Sequence, residues 1–238
     1  MIDLVAANAK DRVVWETITE MSDWFAAPWT LIGARMVQLH AMAAGRSVPR
    51  LSLDADALAD VRALPGATEE LSATLIERGF ELGETSTFGL SHRFVRGGVS
   101  VDVLGPDGLN RVGSRRTVGK LHTVEVPGGT QALRRTQVQE VRIGKRRGRI
   151  PVPDLLGAIL LRLAQSRSMT CPKTNGSISQ SFLSLVGDVG LIRKDLRTTE
   201  KSWLRRRAEM GDPATGCWAY LSSDDAQRGV ATFRQLTG

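Results

Sequence analysis

Two carboxylates, Asp54 and Asp56, stand two residues apart in the run Arg50-Leu51-Ser52-Leu53-Asp54-Ala55-Asp56. On a strand, residues i and i+2 point to the same face. Two like charges held that way repel unless a cation lies between them. Mg²⁺ takes oxygen ligands and keeps company with substrate phosphates, so the pair points to phosphate chemistry. Asp102, in Val99-Ser100-Val101-Asp102-Val103-Leu104, is the candidate third carboxylate. There the alternation sets Ser100, Asp102 and Leu104 opposite three valines, so a valine face on the core leaves Asp102 facing a cleft. A third piece is Gly33-Ala34-Arg35, ahead of a helical stretch. A glycine at a strand-to-helix turn lets backbone N–H groups approach an anion, and Arg35 offers a bidentate phosphate contact. A structural reading stands beside this one. The run 51–64 also fits a helix start with Ser52 or Asp54 as N-cap, and Asp102 also fits the surface of an edge strand.

These residues need elements to hold them. Residues 10–23 carry Val13, Val14 and Ile18 at helical spacing. Residues 29–44 read as a short strand, a turn at Gly33 and a helix. Pro49 disfavours helix at Val48, so Leu51 to Asp56 is expected as a strand. Residues 68–79 read as a helix with Thr68 as N-cap, Glu69 and Glu70 in the first turn, and Gly79 as the stop. Residues 91–106 read as a hairpin around Gly97-Gly98, and 121–150 as further strands joined by basic turns. From Pro153 onward the chain reads mostly helical, with a loop at 170–180. The expected fold class is α+β: a core of mixed sheet and helices over residues 1–150, then a helical part over 151–238.

The chain has 238 residues, with 42% hydrophobic and 24% charged content, which excludes a mostly disordered or fibrous chain. Its net charge is +7. Residues 111–149 hold eleven basic and two acidic residues, a local +9, while the remainder is slightly acidic. Such a tract favours a polyanionic partner, although a solvated basic face has the same composition. The first residues lack the charged and apolar regions of a signal peptide, and no transmembrane helix is expected. Cys171 and Cys217 match no zinc or disulfide pattern. A cytoplasmic protein is expected, with no membrane contact. His40, His92 and His122 show no triad partner or metal spacing and read as structural. No Walker A or G-x-S-x-G motif occurs.

The order of the pieces resembles the polymerase-β-like nucleotidyltransferase superfamily, and more narrowly its AbiEii-like bacterial group of abortive-infection and toxin–antitoxin toxins. A glycine turn leads into a helix, followed by Arg50-Leu51-Ser52-Leu53-Asp54-Ala55-Asp56. Then comes the hairpin His92-Arg93-Phe94-Val95-Arg96-Gly97-Gly98-Val99-Ser100-Val101-Asp102-Val103-Leu104. A later helix of the group is matched by Val152-Pro153-Asp154-Leu155-Leu156-Gly157-Ala158-Ile159-Leu160-Leu161-Arg162. The likeness spans roughly residues 28–195. It differs from the group's pattern in Ala34 after the turn glycine and in Arg162 where a lysine is common. It also has Cys171 to Gln180 in place of a Lys-Asp-x-x-Asp run, offering Lys173 but no acid.

The resemblance implies a Mg²⁺-dependent enzyme that transfers a nucleotide from an NTP to an acceptor hydroxyl. Asp54 and Asp56 would bind Mg²⁺, and Asp102 would complete the metal site and help deprotonate the acceptor. Gly33, Ala34 and Arg35 would hold the triphosphate, with Arg50, Ser52, Arg162 and Lys173 as further nucleotide contacts. The tract 111–149 suits a tRNA acceptor, and a cognate antitoxin would be a partner. Two other functions remain open: a catalytically impaired relative that binds nucleic acid or a partner, and a small-molecule (antibiotic) nucleotidyltransferase.

Overall fold

The computed structural model describes residues 1–46, 53–86, 88–109, 116–165, 183–184, 186–214, 218 and 222–238. Arg50, Ser52, Lys173 and both cysteines lie outside the described residues, as does the loop expected at 170–180. The chain divides into two compact units, Met1–Gly157 and Ala158–Gly238.

The first unit is α+β. Its larger sheet contains β2 (Trp29–Ile32), β3 (Asp54–Ala59), β4 (Glu81–Leu82), β5 (Arg93–Arg96) and β6 (Val99–Pro106), in the order β2-β3-β6-β5-β4. β3 and β6 run parallel, and the other neighbours on this path are antiparallel. The short β7 (Glu125–Val126) pairs with the far end of β6. A second sheet has the order β1-β8-β9, from β1 (Ile2–Asp3), β8 (Thr136–Ile143) and β9 (Arg146–Pro153). Among the described residues, four helices lie wholly in this unit: α1 (Ala9–Trp24), α2 (Gly33–Ala43), α3 (Ala67–Glu77) and α4 (Gly129–Arg134).

Residues 54–59 are strand, so the helix-start alternative for the Asp54/Asp56 run does not hold. The two-residue period explains why. Ala55 and Ala57 are fully buried on one face, while Asp54 and Asp56 take the other. On β6, Val99, Val101 and Val103 enter the core and Asp102 stands opposite them. α3 packs over β3, β5 and β6 with Leu71 and Leu75 buried. Its N-cap is Gly66, in the left-handed region, rather than Thr68, which is buried inside the first turn. Gly79 follows its end with φ +81°, as a C-terminal stop should.

α1 lies on the second sheet, where Val141, Ile143, Ile150 and Val152 are buried. Gly148 permits the approach, because a Cβ there would overlap the Thr19 methyl group of α1. α5 (Leu155–Gln165) runs across the division between the units. Asp154 caps it, accepting a hydrogen bond from Gly157 N–H at 2.6 Å.

In the second unit, α6 (Val189–Asp195), α7 (Thr198–Arg205) and a 3-10 turn (Ala208–Gly211) pack on α8 (Ser223–Thr237). Leu204, Met210, Val230, Phe233 and Leu236 are buried there. Glu200 closes the start of α7 by accepting from Arg197 N–H at 2.9 Å. Among the described residues, no helix is long and apolar enough to cross a membrane.

Candidate active site

Strand pairing brings the three acids together. Asp56 of β3 is the direct cross-strand partner of Asp102 of β6 in the parallel pair, and Asp54 is the partner of Ser100. All three therefore rise from one face of two adjacent strands. Asp102 is nearly buried at 5% exposure, whereas the Asp54 side chain is 42% exposed, so the cluster opens to solvent on the Asp54 side.

Gly33 closes the cluster from the side of β2. Ile32 pairs with Asp56, so the first residue of α2 falls beside that carboxylate. Gly33 has φ +70°, and a Cβ on it would overlap the Asp56 carboxylate. The N-terminus of α2 has no side-chain cap, and its dipole favours the negative charge held there. Ala34 follows in the first turn and contributes backbone alone.

Arg35 does not open into this site, although the field of Asp54 reaches it. It is fully buried, donating to Asp11 at 2.5 Å and to Gln38 at 3.0 Å, with its guanidinium 4.9 Å from the centre of the Trp15 ring. Burial pulls its pKa down, and the hydrogen bond to Asp11 opposes this. A side chain buried in that way joins α2 to α1 and cannot hold a triphosphate at the turn. Arg162 lies in the second unit, where it donates to Gln165 at 2.9 Å.

The residue that sequence reasoning passed over is Arg93. It is the cross-strand partner of Asp102 in the β5–β6 hairpin. Its Nε donates to Asp102 Oδ1 and its Nη2 to Oδ2, both at 2.8 Å, and Nη2 is also 3.9 Å from Asp54 Oδ2. This is the two-pronged geometry in which guanidinium and carboxylate match best. The Asp102 hydrogen bonds do most to raise the arginine's pKa; burial opposes them, and the fields of Asp102, Asp54 and Asp56 add to the rise. The signal was in the hairpin: a two-residue Gly97-Gly98 turn pairs Arg96 with Val99 and, three steps on, Arg93 with Asp102. His92 is also near, with Nε2 at 4.0 Å from Asp102 Oδ2.

The donor set decides how a metal would fit. Among the described residues, no three His, Cys, Asp or Glu side chains are grouped closely enough to hold one ion. Of the three carboxylates expected to share a metal, Asp102 has both oxygens facing Arg93. Asp54 and Asp56 remain an all-oxygen pair on one strand face. Mg²⁺ commonly uses one or two carboxylates with substrate phosphates and water, so this pair fits it.

The basic tract also changes on folding. Arg135 pairs with Asp154, Arg142 with Asp3, and Arg146 with Glu20 and Asp23. Arg116, Lys120, Arg134, Lys145, Arg147 and Arg149 are exposed and make no ion pair among the described residues. Arg147 and Arg149 project from the same face of β9.

No family model and no curated protein matches the chain. Among solved structures, a solution structure of the antibiotic-resistance factor ANT(2'')-Ia is 13% identical, with a TM-score of 0.38, over 94% of this chain and 90% of that one. A likeness of that size does not define a shared fold.

Proposed function

We propose that this chain is a Mg²⁺-dependent nucleotidyltransferase of the AbiEii-like kind, moving a nucleotide from an NTP to an RNA hydroxyl, with tRNA the acceptor that the resemblance favours. The observation that carries this reading is the cross-strand pair Asp56–Asp102, with Asp54 on the same face and the Gly33 turn against Asp56. Asp54 and Asp56 would hold Mg²⁺, which supplies Lewis-acid polarisation of phosphate oxygens when bound. Asp102 accepts the proton of the acceptor hydroxyl. Each of its oxygens receives one hydrogen bond from Arg93 and retains a lone pair for this step. The hydroxyl oxygen forms its bond to the α-phosphorus as the bond to pyrophosphate breaks, and pyrophosphate leaves. Arg93 fixes the Asp102 carboxyl plane, and Gly33 leaves room for Asp56 beside the start of α2. The exposed cations Arg147 and Arg149 suit the phosphates of a polynucleotide acceptor. As a toxin, such an enzyme would be held in check by a cognate antitoxin.

The double hydrogen bond on Asp102 favours a second reading, a binding module that keeps the fold without turnover. The purified protein, Mg²⁺, each of the four α-labelled NTPs and total RNA separate the two. The proposal expects label in RNA, concentrated in the tRNA fraction. RNA binding without label from any NTP supports the binding module. Label on an aminoglycoside but never on RNA makes the acceptor a small molecule.

A further inference from the structure

We propose that Arg93 takes the place of a second divalent cation at Asp102, so that the site loads one metal ion and not two. This rests on the nucleotidyltransferase reading of the same site. Three observations carry it. First, the guanidinium donates to both oxygens of Asp102 at 2.8 Å, the same oxygens a second cation would need. Second, Asp102 is buried and gripped by Arg93, with His92 Nε2 4.0 Å from its Oδ2, so a metal there would have to displace a two-pronged charged contact from a poorly solvated carboxylate. Third, Arg93 Nη2 also stands 3.9 Å from Asp54 Oδ2, so the same guanidinium offsets charge on both strands of the cluster.

Register makes the arrangement a fixed part of the fold. Arg93 and Asp102 are opposite one another in a hairpin whose turn leaves no slack, with Phe94 and Val101 buried beside them. The fork shape matters as well as the charge. Lysine would present one point charge and could not grip both oxygens in plane. Nη1 of Arg93 makes no hydrogen bond among the described residues, and the side chain is 45% exposed. Its N–H groups are the donors left for a phosphate oxygen, a contact that a second metal would otherwise make.

The test counts ions rather than turnover. Mn²⁺ is titrated into the full chain with a saturating non-hydrolysable NTP analogue, and free Mn²⁺ is read by electron paramagnetic resonance. Counted in the complex freed of unbound analogue, the wild type is expected to hold one Mn²⁺ per chain, the nucleotide-borne ion included. Arg93→Gln is expected to bind two, and Arg93→Gln with Asp102→Asn to return to one. Two ions on the wild type would overturn the role of Arg93 and leave the nucleotidyltransferase reading standing. No ion on the wild type would overturn both. One ion on a folded Arg93→Gln would also overturn it. Should Arg93→Gln not fold, the wild-type count decides alone.

Discussion

Gly33 meets two demands at once: a left-handed φ, and the absence of a side chain where the Asp56 carboxylate lies. Holding a non-glycine residue in a sparsely populated backbone region costs on the order of 1–3 kcal/mol. Gly33→Ala is therefore expected to lower the unfolding free energy, read from urea titration, by about 1–3 kcal/mol and to cut nucleotide transfer further than the stability loss explains, because Asp56 must move. Unchanged stability and transfer would remove Gly33 from the site. At this scale the shared face of Asp54, Asp56 and Asp102 and the turn at Gly33 were readable, since period-two alternation and a turn glycine are local signals. Arg93 was readable too, by counting back from the Gly97-Gly98 turn. Arg35 was not. Its fate depends on Asp11, 24 residues away in sequence, and no local pattern reports that a helix N-terminus carries an internal salt bridge.

Among the elements, β2, α2, the β5–β6 hairpin and α1 follow from periodicity and turn chemistry, within a residue or two at their ends. β3 required the structure, because an apolar run containing two aspartates suits a strand and a capped helix equally well. What settles it is burial: Ala55 and Ala57 fit under neighbouring elements only in extended chain. α2 is further tied to β9, with His40 Nε2 at 3.0 Å from the Pro153 carbonyl, which requires the ring nitrogen to donate. Burial lowers the His40 pKa from 6.5, with Pro153 and Asp154 opposing. The unfolded chain therefore binds this proton more tightly than the native one, and stability falls as pH drops below about 6.5 toward the lower native value. The urea midpoint of the wild type is expected to decline more between pH 7.5 and pH 5.5 than that of His40→Gln. Parallel declines would show that His40 plays no part in the acid sensitivity.

For the whole molecule, the +9 tract was legible as composition but not as surface. Folding pairs Arg135, Arg142 and Arg146 with acids distant in sequence, and leaves Arg147 and Arg149 side by side on an exposed strand face. Sequence places charges in order along the chain, while long-range ion pairs depend on how the sheets stack. The basic surface and the acid cluster belong to the same compact unit, Met1–Gly157. The central claim is that this cluster transfers nucleotides. Its most direct test is the rate at which α-labelled NTP enters total RNA with the wild type and with Asp56→Asn, a substitution that keeps the side chain's shape. On the proposed reading Asp56→Asn removes a carboxylate that would hold Mg²⁺, a loss of several kcal/mol of charge stabilisation, so the variant should fall by roughly a hundredfold or more. A wild type that labels RNA alongside an Asp56→Asn that labels it equally fast would contradict the account.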